Sequence, residues 1–488
     1  KVQSLASPDS DAARFAEEGR LAVMAARAAL SDLAVQTRDF KLWRDERARE
    51  RTDADLHSLF REYVLVRGEA LLTVHGGLCA ALAALATALA ALAECLEGAL
   101  PAREVPRLRR ALEILRLELE EERAGVSAWI PRGERGAPVF GGEAFHDLET
   151  TAQGDDVLVT RVLLPHEFLG RRYYPELAGA VLISATTWLR GGFEAASAYL
   201  GLTRAAEPAP EEEREPIPVA TFRAPEAFDY ARVLVAVPRD APPVQDKLAF
   251  LAYCARFVAY LAERTRGRTL VLFTNAEDAA AVGAELEPFF AARGLPFWWQ
   301  GMRGLAKEEL GALFRARVDS VLLGLDAYWY GADFPGETLE YLVLARLPYG
   351  VPDRYHHAQC AAMGASEQRK TIYLPRALAK FRQGFGRLMR KESDRGCVFV
   401  LDRRVLDPRH RGFLDELPLA NAFDIEAADE PAQRRARLVQ GDSARCLRAA
   451  FTHMDLEAGL ARRGLTQSFE GFGLRPGSSS ASPATPQE

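Results

Sequence analysis

The first third of the chain has a hydrophobic pattern with the period of packed α-helices. Between residues 78 and 96 the leucines recur at alternating spacings of four and three, as at the a and d positions of a helical seam. After a proline-containing break, EGALPAREVPR (97–107), the same spacing returns between residues 108 and 119. Two such helices joined by a turn predict an antiparallel hairpin. We therefore expect long helices from about 10 to 126, which together form a helical arm.

From about residue 155 short apolar runs alternate with stretches of helical period, for example 245–264. This alternation predicts an α/β fold with a parallel sheet that is covered on both faces. Ligands of such sheets bind beyond the carboxyl ends of the strands. The predicted strands are VLVTRVLL (157–164), AVLISAT (180–186), RVLVAVP (232–238), TLVLFT (269–274), DSVLLGL (319–325), EYLVLARL (340–347) and GCVFVLD (396–402).

The stretch FRQGFGRLMR (381–390) precedes the last of these strands. Placed on one helix, Gln383, Arg387 and Arg390 share a narrow stripe opposite an apolar face. A solvated basic face is the commoner use of arginines on a helix. Two glycines in the stretch count against it, because each costs about 1 kcal/mol inside a helix and a solvated face has no need of them. The stripe therefore suggests donors aimed at a ligand that the rest of the chain must identify.

Composition adds bounds to this picture. The length of 488 residues suggests two to four domains, and 48% apolar with 27% charged residues is ordinary for a soluble protein. A net charge of −6 excludes a protein that is basic overall, but it leaves room for a local basic patch. Such a patch exists, since residues 380–411 contain ten Lys or Arg and four Asp or Glu.

The six cysteines are scattered, and none has the spacing of a zinc or iron–sulfur ligand. They are typical of core thiols in a reducing compartment, so we expect a cytoplasmic protein without iron–sulfur ligands in this chain. The run 71–93 contains no charged residue, but its leucine register favours a packed helix over a membrane span. The chain begins with Lys rather than Met, and we expect its native start to lie upstream.

The loops after the predicted strands contain the residue types of a phosphate site. Ser184 and Thr186 are small hydroxyl residues after one strand, and Thr274 and Asn275 follow another. The loop DAYWYGADFPGETL (326–339) supplies glycines and one acid. Together with paired arginines, these groups suit a phosphate site beside a nucleic-acid track. Each is weak alone, because Ser-Ala-Thr is more often a turn and the acid could be a turn residue.

The order of these motifs resembles that of superfamily-two DNA helicases of the DinG/XPD type. The resemblance covers roughly 155–420, and the helical region before it is similar in placement to the arch insertion of that family. The matching stretches are VLISATTWLRGGFEAASAYLGL, TLVLFTNAEDAAAV, WQG, SVLLGLDAYWYGADFPGETLEYLVLARLPYGVPD and FRQGFGRLMRKESDRGCVFVLDRR.

The resemblance implies two RecA-like motor domains with ATP in the cleft between them. It implies that Arg387 and Arg390 are arginine fingers on the ATP γ-phosphate, where such a finger can contribute ~10³–10⁵ in rate. By the same resemblance Gln383 senses the γ-phosphate. The glycines of the helix, Gly386 among them, would let it approach its neighbours.

Further roles follow from the resemblance. Ser184 and Thr186 would link hydrolysis to domain movement, and Gly331 and Asp333 would couple the ATP cleft to the DNA track. The expected DNA-binding residues are Thr274, Asn275, Gln300 and Trp329. For Trp329 we expect either base stacking or burial, because both are common for a Trp in such a loop.

The sequence departs from the family at three points. Leu325 stands where the family usually has Thr, Tyr330 stands where it has Glu, and Thr187 stands where it has Leu. Neither a G-x-x-x-x-G-K-[ST] phosphate loop nor a DEAH box occurs in the chain. We therefore expect the Mg²⁺ ligands in an upstream part, and the chain is either the C-terminal part of a helicase or a degenerate relative.

The predicted organisation has five parts. They are a helical arch-like region (1–150), a remaining piece of the first motor domain (151–205), the second RecA-like motor domain (206–430), C-terminal helices (431–473) and a disordered tail (474–488). The expected function is that of an ATP-dependent DNA helicase with 5′→3′ polarity that acts in DNA repair. Its expected partners are ATP, Mg²⁺ and single-stranded or forked DNA, without a membrane, and we expect a monomer. The alternative is a non-catalytic nucleic-acid-binding or scaffold protein derived from a helicase motor.

Overall fold

The structure is a computed structural model. It describes residues 10–49, 53–97, 99–134, 136–151, 154–189, 191–208, 215–224, 228–302, 304–330, 333–334, 336–419, 435–456 and 469. The chain divides into two compact units. Unit 1 contains residues 1–168 and 352–368, and unit 2 contains residues 169–351 and 369–488.

Unit 1 is mainly helical, as predicted. Its long helices are α1 (Asp11–Ala48), α2 (Leu59–Val66), α3 (Glu69–Glu94) and α4 (Val105–Trp129). The α3 helix packs along α1 and also contacts α4, so the expected hairpin of α3 and α4 is confirmed and α1 forms a third side. The core of this unit includes Phe40, Trp43, Phe60, Tyr63 and Trp129.

The α3 helix is, within the described part of the chain, the helix that is long and apolar enough to span a membrane by length and composition alone. Its leucine register serves packing, because Leu78 and Leu92 are buried within unit 1. Gly19 of α1 faces this helix, where a Cβ would stand 3.7 Å from Ala88. Small residues on both helices thus allow a close approach.

A two-stranded antiparallel hairpin completes unit 1. The predicted run VLVTRVLL forms β2 (Asp156–Val162), but it pairs antiparallel with β1 (Ala144–Thr150). The prediction of a parallel strand is therefore wrong for this run. The reason is the short connection, in which Gly154 has a φ of +93° and lets the chain return at once. The helix Arg354–Met363 from later in the chain also belongs to unit 1, where Arg354 pairs with Asp147.

Unit 2 contains a parallel sheet of seven strands in the order β5-β6-β4-β7-β8-β3-β9. The strands are β3 (Val233–Pro238), β4 (Thr269–Leu272), β5 (Phe297–Trp299), β6 (Val321–Gly324), β7 (Tyr341–Leu344), β8 (Gly396–Val400) and β9 (Arg437–Gly441). The main helices are α5 (Lys247–Thr265), α6 (Ala276–Ala291), α7 (Lys307–Ala316), α8 (Leu374–Phe385) and α9 (Ser443–His453). The predicted α/β class is confirmed, and five predicted strands are present as β3, β4, β6, β7 and β8.

The strands are apolar throughout because both faces of the sheet are covered. Every residue of β3, β4, β6, β7 and β8 is buried. Successive residues alternate between two cores, so that Val271 packs on one face while Leu270 and Leu272 pack on the other. This arrangement brings the carboxyl ends of all seven strands to one edge of the sheet.

The second predicted strand, AVLISAT, is absent from the sheet. Residues 180–184 are irregular, and Val181 and Ile183 are 86% and 91% exposed. The prediction is wrong because apolar composition alone is not sufficient, since a parallel strand also needs hydrogen-bonded neighbours on the sheet. The run is instead held at its end by hydroxyl contacts of Ser184 and Thr186.

Several predicted features lie partly or wholly outside the described residues. They include residues 209–214 and 420–430 of the predicted second motor domain, Gly331 and the tail 474–488. Of the predicted C-terminal helices, α9 (Ser443–His453) is described, and it follows β9, which was not predicted.

Candidate nucleotide site

The helix α8 carries the first residue of the predicted arginine stripe. Pro375 stands in its first turn, where the missing N–H costs nothing, and its apolar face is buried through Leu378, Phe381 and Phe385. The helix ends at Phe385, and Gly386 is its C-cap. The prediction of one continuous helix over 381–390 is therefore wrong, and the two arginines lie in the turns that follow.

The two glycines of this stretch have different physical roles. A Cβ on Gly384 would stand 2.5 Å from the indole ring of Trp329, so only glycine lets the helix pack on that ring. A Cβ on Gly386 would meet nothing closer than 3.4 Å, and this residue instead ends the helix. The predicted close approach therefore belongs to Gly384 rather than to Gly386.

Backbone contacts fix the segment that follows the helix. The Asp394 carboxylate accepts hydrogen bonds from the backbone N–H groups of Arg390 and Lys391, each at 2.8 Å. The Arg387 guanidinium donates to the carbonyl of Gln383 at 3.3 Å and to that of Tyr330 at 3.4 Å. The Arg390 guanidinium forms an ion pair with Asp333 at 3.1 Å. Both arginines are thus held beside the helix end although they have left the helix.

The hydroxyl motif of the irregular run reaches the same place. The amide of Gln383 donates to the Thr186 hydroxyl at 3.2 Å, although 197 residues separate them. The hydroxyls of Ser184 and Thr186 are 3.0 Å apart, and the Thr186 N–H donates to the Ser184 hydroxyl. The hydrogen bonds between Ser184 and Thr186 close a turn. The contact between Thr186 and Gln383 also makes this turn part of the site.

A cleft of about 230 Å³ in unit 2 joins these residues. Thr186, Gln383, Arg387 and Arg390 all line it. Burial and the neighbouring charge of Arg390 lower the pKa of Arg387 to about 10, while Asp333 acts in the opposite direction. A cation that is destabilised by burial and by a like charge gains most from an anionic ligand. The cleft is therefore suited to phosphate.

Sequence reasoning missed residues that line this cleft and one acid that supports it from the neighbouring turn. Arg382 donates to the carbonyl of Trp188 at 2.5 Å, and the guanidinium of Arg223 lies 4.7 Å from the Trp188 ring centre. Asp394 supports the arginine turn. Arg382 and Arg223 had no local sequence signal, because their partner Trp188 is distant in sequence. Asp394 had one, because an acid four residues after Arg390 is typical of a capped turn.

The predicted DNA-binding residues lie at the carboxyl edge of the sheet, and two have structural uses. The side-chain oxygen of Asn275 caps α6 by accepting from the N–H groups of Glu277 and Asp278, at 2.7 and 3.1 Å. The side-chain oxygen of Gln300 accepts from the Leu325 N–H at 3.0 Å, which ties the end of β5 to that of β6. Thr274 is partly exposed at the same edge.

Trp329 does not present its ring to a ligand. It is fully buried, and its indole N–H donates to the Phe273 carbonyl at 2.9 Å. Of the two roles expected for this residue, burial is the one observed, and the stacking role is wrong. Gly331 lies outside the described residues. Within the described ranges, no group of three or more His, Cys, Asp or Glu side chains is placed to hold a metal ion.

Parts of this chain are similar to a protein family and to known proteins. Residues 258–419 match the family described as the helicase C-terminal domain. The chain is 32% identical over 270 residues to the 3′-5′ exonuclease DinG of Bacillus subtilis. This alignment covers 54% of this chain and 28% of that protein. The chain is also 27% identical over 299 residues to the ATP-dependent DNA helicase DinG of Photobacterium profundum. This alignment covers 59% of this chain and 40% of that protein. A solved structure titled XPD helicase aligns with a TM-score of 0.31 at 16% identity, over 43% of this chain and 35% of that one. The chain thus spans less than half the length of these relatives.

Proposed function

We propose that the chain, whose residues 258–419 match the helicase C-terminal domain family, supplies the second motor domain of an ATP-dependent DNA helicase of the DinG/XPD type. In this role unit 2 receives the γ-phosphate of ATP in the cleft described above. The helix end supplies two arginines to that phosphate, and the sheet edge follows a single strand of DNA. The proposed direction is 5′→3′, on single-stranded and forked DNA, by a cytoplasmic monomer that acts in DNA repair.

The observation that carries the proposal is the convergence of Gln383, Arg387 and Arg390 with Thr186 in one cleft. An arginine presents planar donors that remain charged, which suits the equatorial oxygens of a transferring phosphoryl group. Gln383 links the phosphate side of the cleft to Thr186, so movement of the phosphate is felt by the hydroxyl motif. Asp333 holds Arg390 in place until a phosphate takes over that contact.

ATP hydrolysis also needs a phosphate loop and a Mg²⁺ carboxylate, and neither motif occurs in this chain. Mg²⁺ bound with ATP would neutralise charge on the phosphates, while the residues of this chain position and stabilise the γ-phosphate. Positioning accounts for most of phosphoryl-transfer catalysis. We therefore propose that residues 1–488 alone do not hydrolyse ATP in response to DNA.

The alternative proposal is a scaffold that binds nucleic acid without catalysis. It is compatible with the same sheet edge, but it leaves the destabilised Arg387 without a purpose. The two proposals differ in whether the arginines affect turnover or only folding.

The test is DNA-stimulated phosphate release by the complete gene product and by residues 1–488. We expect turnover in the complete product and none in the shorter chain. Arg387→Ala or Arg390→Ala should lower kcat by ~10² or more with a smaller change in ATP affinity, because the contact strengthens in the transition state. Arg387→Lys should restore little, since Lys lacks the planar fork.

The control for this test is Arg317→Ala, which removes an exposed arginine whose partner is Asp319 at 3.1 Å. Its turnover should equal that of the wild type. Near-normal turnover in both arginine variants of the cleft would refute the catalytic proposal and favour the scaffold.

A further inference from the structure

The carboxylate of Asp394 joins two loops that are far apart in sequence. Its Oδ2 atom accepts hydrogen bonds from the backbone N–H groups of Arg390 and Lys391, each at 2.8 Å. Its Oδ1 atom accepts one from the backbone N–H of Gly336 at 3.2 Å, 58 residues away in the chain. One carboxylate therefore holds both the turn that carries Arg390 and the loop that carries Asp333.

This anchor lies inside the protein rather than on its surface. Asp394 is buried, and its own N–H donates to the Lys391 carbonyl at 3.0 Å, which closes the turn. A buried carboxylate is unfavourable unless donors surround it, and the described donors here are backbone N–H groups. Bonds to the backbone fix the main chain rather than a side chain, so Asp394 determines where the two loops lie.

The side chains of the two loops meet beside this anchor. The Arg390 guanidinium pairs with Asp333 at 3.1 Å, and the side chain of Asp333 is 67% exposed. An ion pair with so exposed a partner is weak by itself, because water screens the charges and both side chains lose conformational freedom. The pair becomes reproducible when the backbone of both partners is fixed in advance, and Asp394 supplies that constraint.

We propose that Asp394 is a positioning residue that lets Arg390 exchange between two partners, Asp333 in the resting cleft and the γ-phosphate in the loaded one. The inference deepens the proposed function and rests on it. Asp394 acts through Arg390 and does not contact ATP. Because both loops are tied to one carboxylate, Arg390 leaves Asp333 by rotation of its side chain, without movement of the main chain. It therefore reaches the phosphate from a position that is already set, as transition-state stabilisation requires.

Hydrogen exchange of residues 1–488 tests the anchor without any turnover. In Asp394→Ala the amides of Gly336, Arg390 and Lys391 should all exchange about tenfold faster or more, because one carboxylate protects all three. Asp333→Asn removes the ion pair but leaves the anchor, so exchange at these amides should be unchanged. Mass spectrometry of peptides measures both loops in one sample. Faster exchange in only one loop of Asp394→Ala would overturn the inference.

DNA-stimulated phosphate release by the complete gene product tests the positioning role. Asp394→Ala should lower kcat by about 10–10²-fold with little change in KM for ATP, because a displaced donor is felt mainly in the transition state. Asp394→Asn should lose less, since its remaining oxygen can still accept from Arg390 and Lys391. The control is Asp442→Ala, which removes a carboxylate that caps α9 by accepting from the Arg445 N–H at 2.7 Å. Its turnover should equal that of the wild type.

A double-mutant cycle separates positioning from general stability. If Asp394 acts through Arg390, Asp394→Ala should cause no further loss of kcat in the Arg390→Ala background, whereas a purely structural loss would multiply with the first. Single-turnover phosphate release keeps the slow rates measurable. Thermal melting reports the stability of each variant, and Asp394→Asn keeps the test valid if Asp394→Ala fails to fold.

The possible outcomes are distinct. Wild-type kcat in Asp394→Ala, together with slow turnover in Arg390→Ala, would overturn this inference and leave the helicase proposal standing. Multiplied losses in the double variant would also overturn it, because Asp394 would then only stabilise the fold. Near-normal turnover in Arg390→Ala would overturn the inference together with the catalytic part of the proposed function, since no catalytic arginine would remain to be positioned.

Discussion

Two runs of almost the same composition have opposite fates in unit 2. VLLG (321–324) forms β6 between β5 and β4, and its three apolar side chains are fully buried. VLIS (181–184) is irregular, and two of its three apolar side chains are more than four-fifths exposed. Both runs have the β-branched and aliphatic residues that favour strands. The difference shows that a high strand propensity allows a strand to form, and that hydrogen-bonded neighbours decide whether it does.

Cysteine labelling should show the largest difference between sheet and irregular run. Ile183→Cys places a thiol where the native side chain is 91% exposed, and we expect it to react with iodoacetamide at the rate of a free thiol. The native Cys397 in β8 is fully buried, and burial raises the pKa of its thiol. It should react slower by on the order of 10³-fold or more, because reaction requires opening of the sheet. Peptide mass spectrometry measures both rates in one sample. Similar rates at the two positions would break the comparison.

Truncation of the second residue in each run sharpens the comparison. Leu322→Ala removes a fully buried side chain from the middle of the sheet and should lower the free energy of unfolding by about 2–5 kcal/mol. Leu182→Ala removes a side chain that is 40% exposed and should change it by no more than about 0.5 kcal/mol. Urea unfolding followed by circular dichroism gives both values, and hydrogen exchange in β4 assigns the transition to the sheet. A large loss in Leu182→Ala would show that the irregular run is packed after all.

The two glycines of the α8 region allow the same kind of comparison at the site, where we expect a smaller change in stability. Gly384→Ala places a methyl group against the ring of Trp329, so we expect a loss of about 1–3 kcal/mol and displacement of the arginine turn. Gly386→Ala has room for its methyl group and a helical φ of −63°, so it should be neutral or stabilising by less than about 1 kcal/mol. Thermal unfolding of both variants gives the values. Equal losses would contradict the assignment of the close approach to Gly384.

The same contrast explains which parts of the fold were predictable. The central strands were found because a strand that is buried on both faces must be apolar at every position. The short β5 (Phe297–Trp299) and the partly exposed edge strand β9 (Arg437–Gly441) lack that signal and were missed. The run at 181–184 has the apolar residues of such a strand but no hydrogen-bonded neighbouring strand.

The sequence predicted which residues would lie together, but less of their geometry. The motif order predicted Gln383, Arg387 and Arg390 as site residues, and all three line one cleft, while their roles stay a prediction. A helical projection could not show that the helix ends at Phe385, because the effect of one glycine depends on what packs against it. The contact of Gln383 with Thr186 spans 197 residues, and no local pattern encodes it.

The return of the chain to unit 1 has a consequence for the order in which the protein is made. The carboxylate of Asp147 is 5% exposed, and its cationic partner Arg354 follows 207 residues later. A ribosome that adds 5–20 residues per second needs about 10–40 s to make that stretch. During this time Asp147 lacks the ion-pair partner that it has in the complete unit 1. The N-terminal unit therefore reaches its final packing only after translation has passed β7, so a nascent chain that stops before Arg354 exposes this unit in an unfinished state to proteases and chaperones.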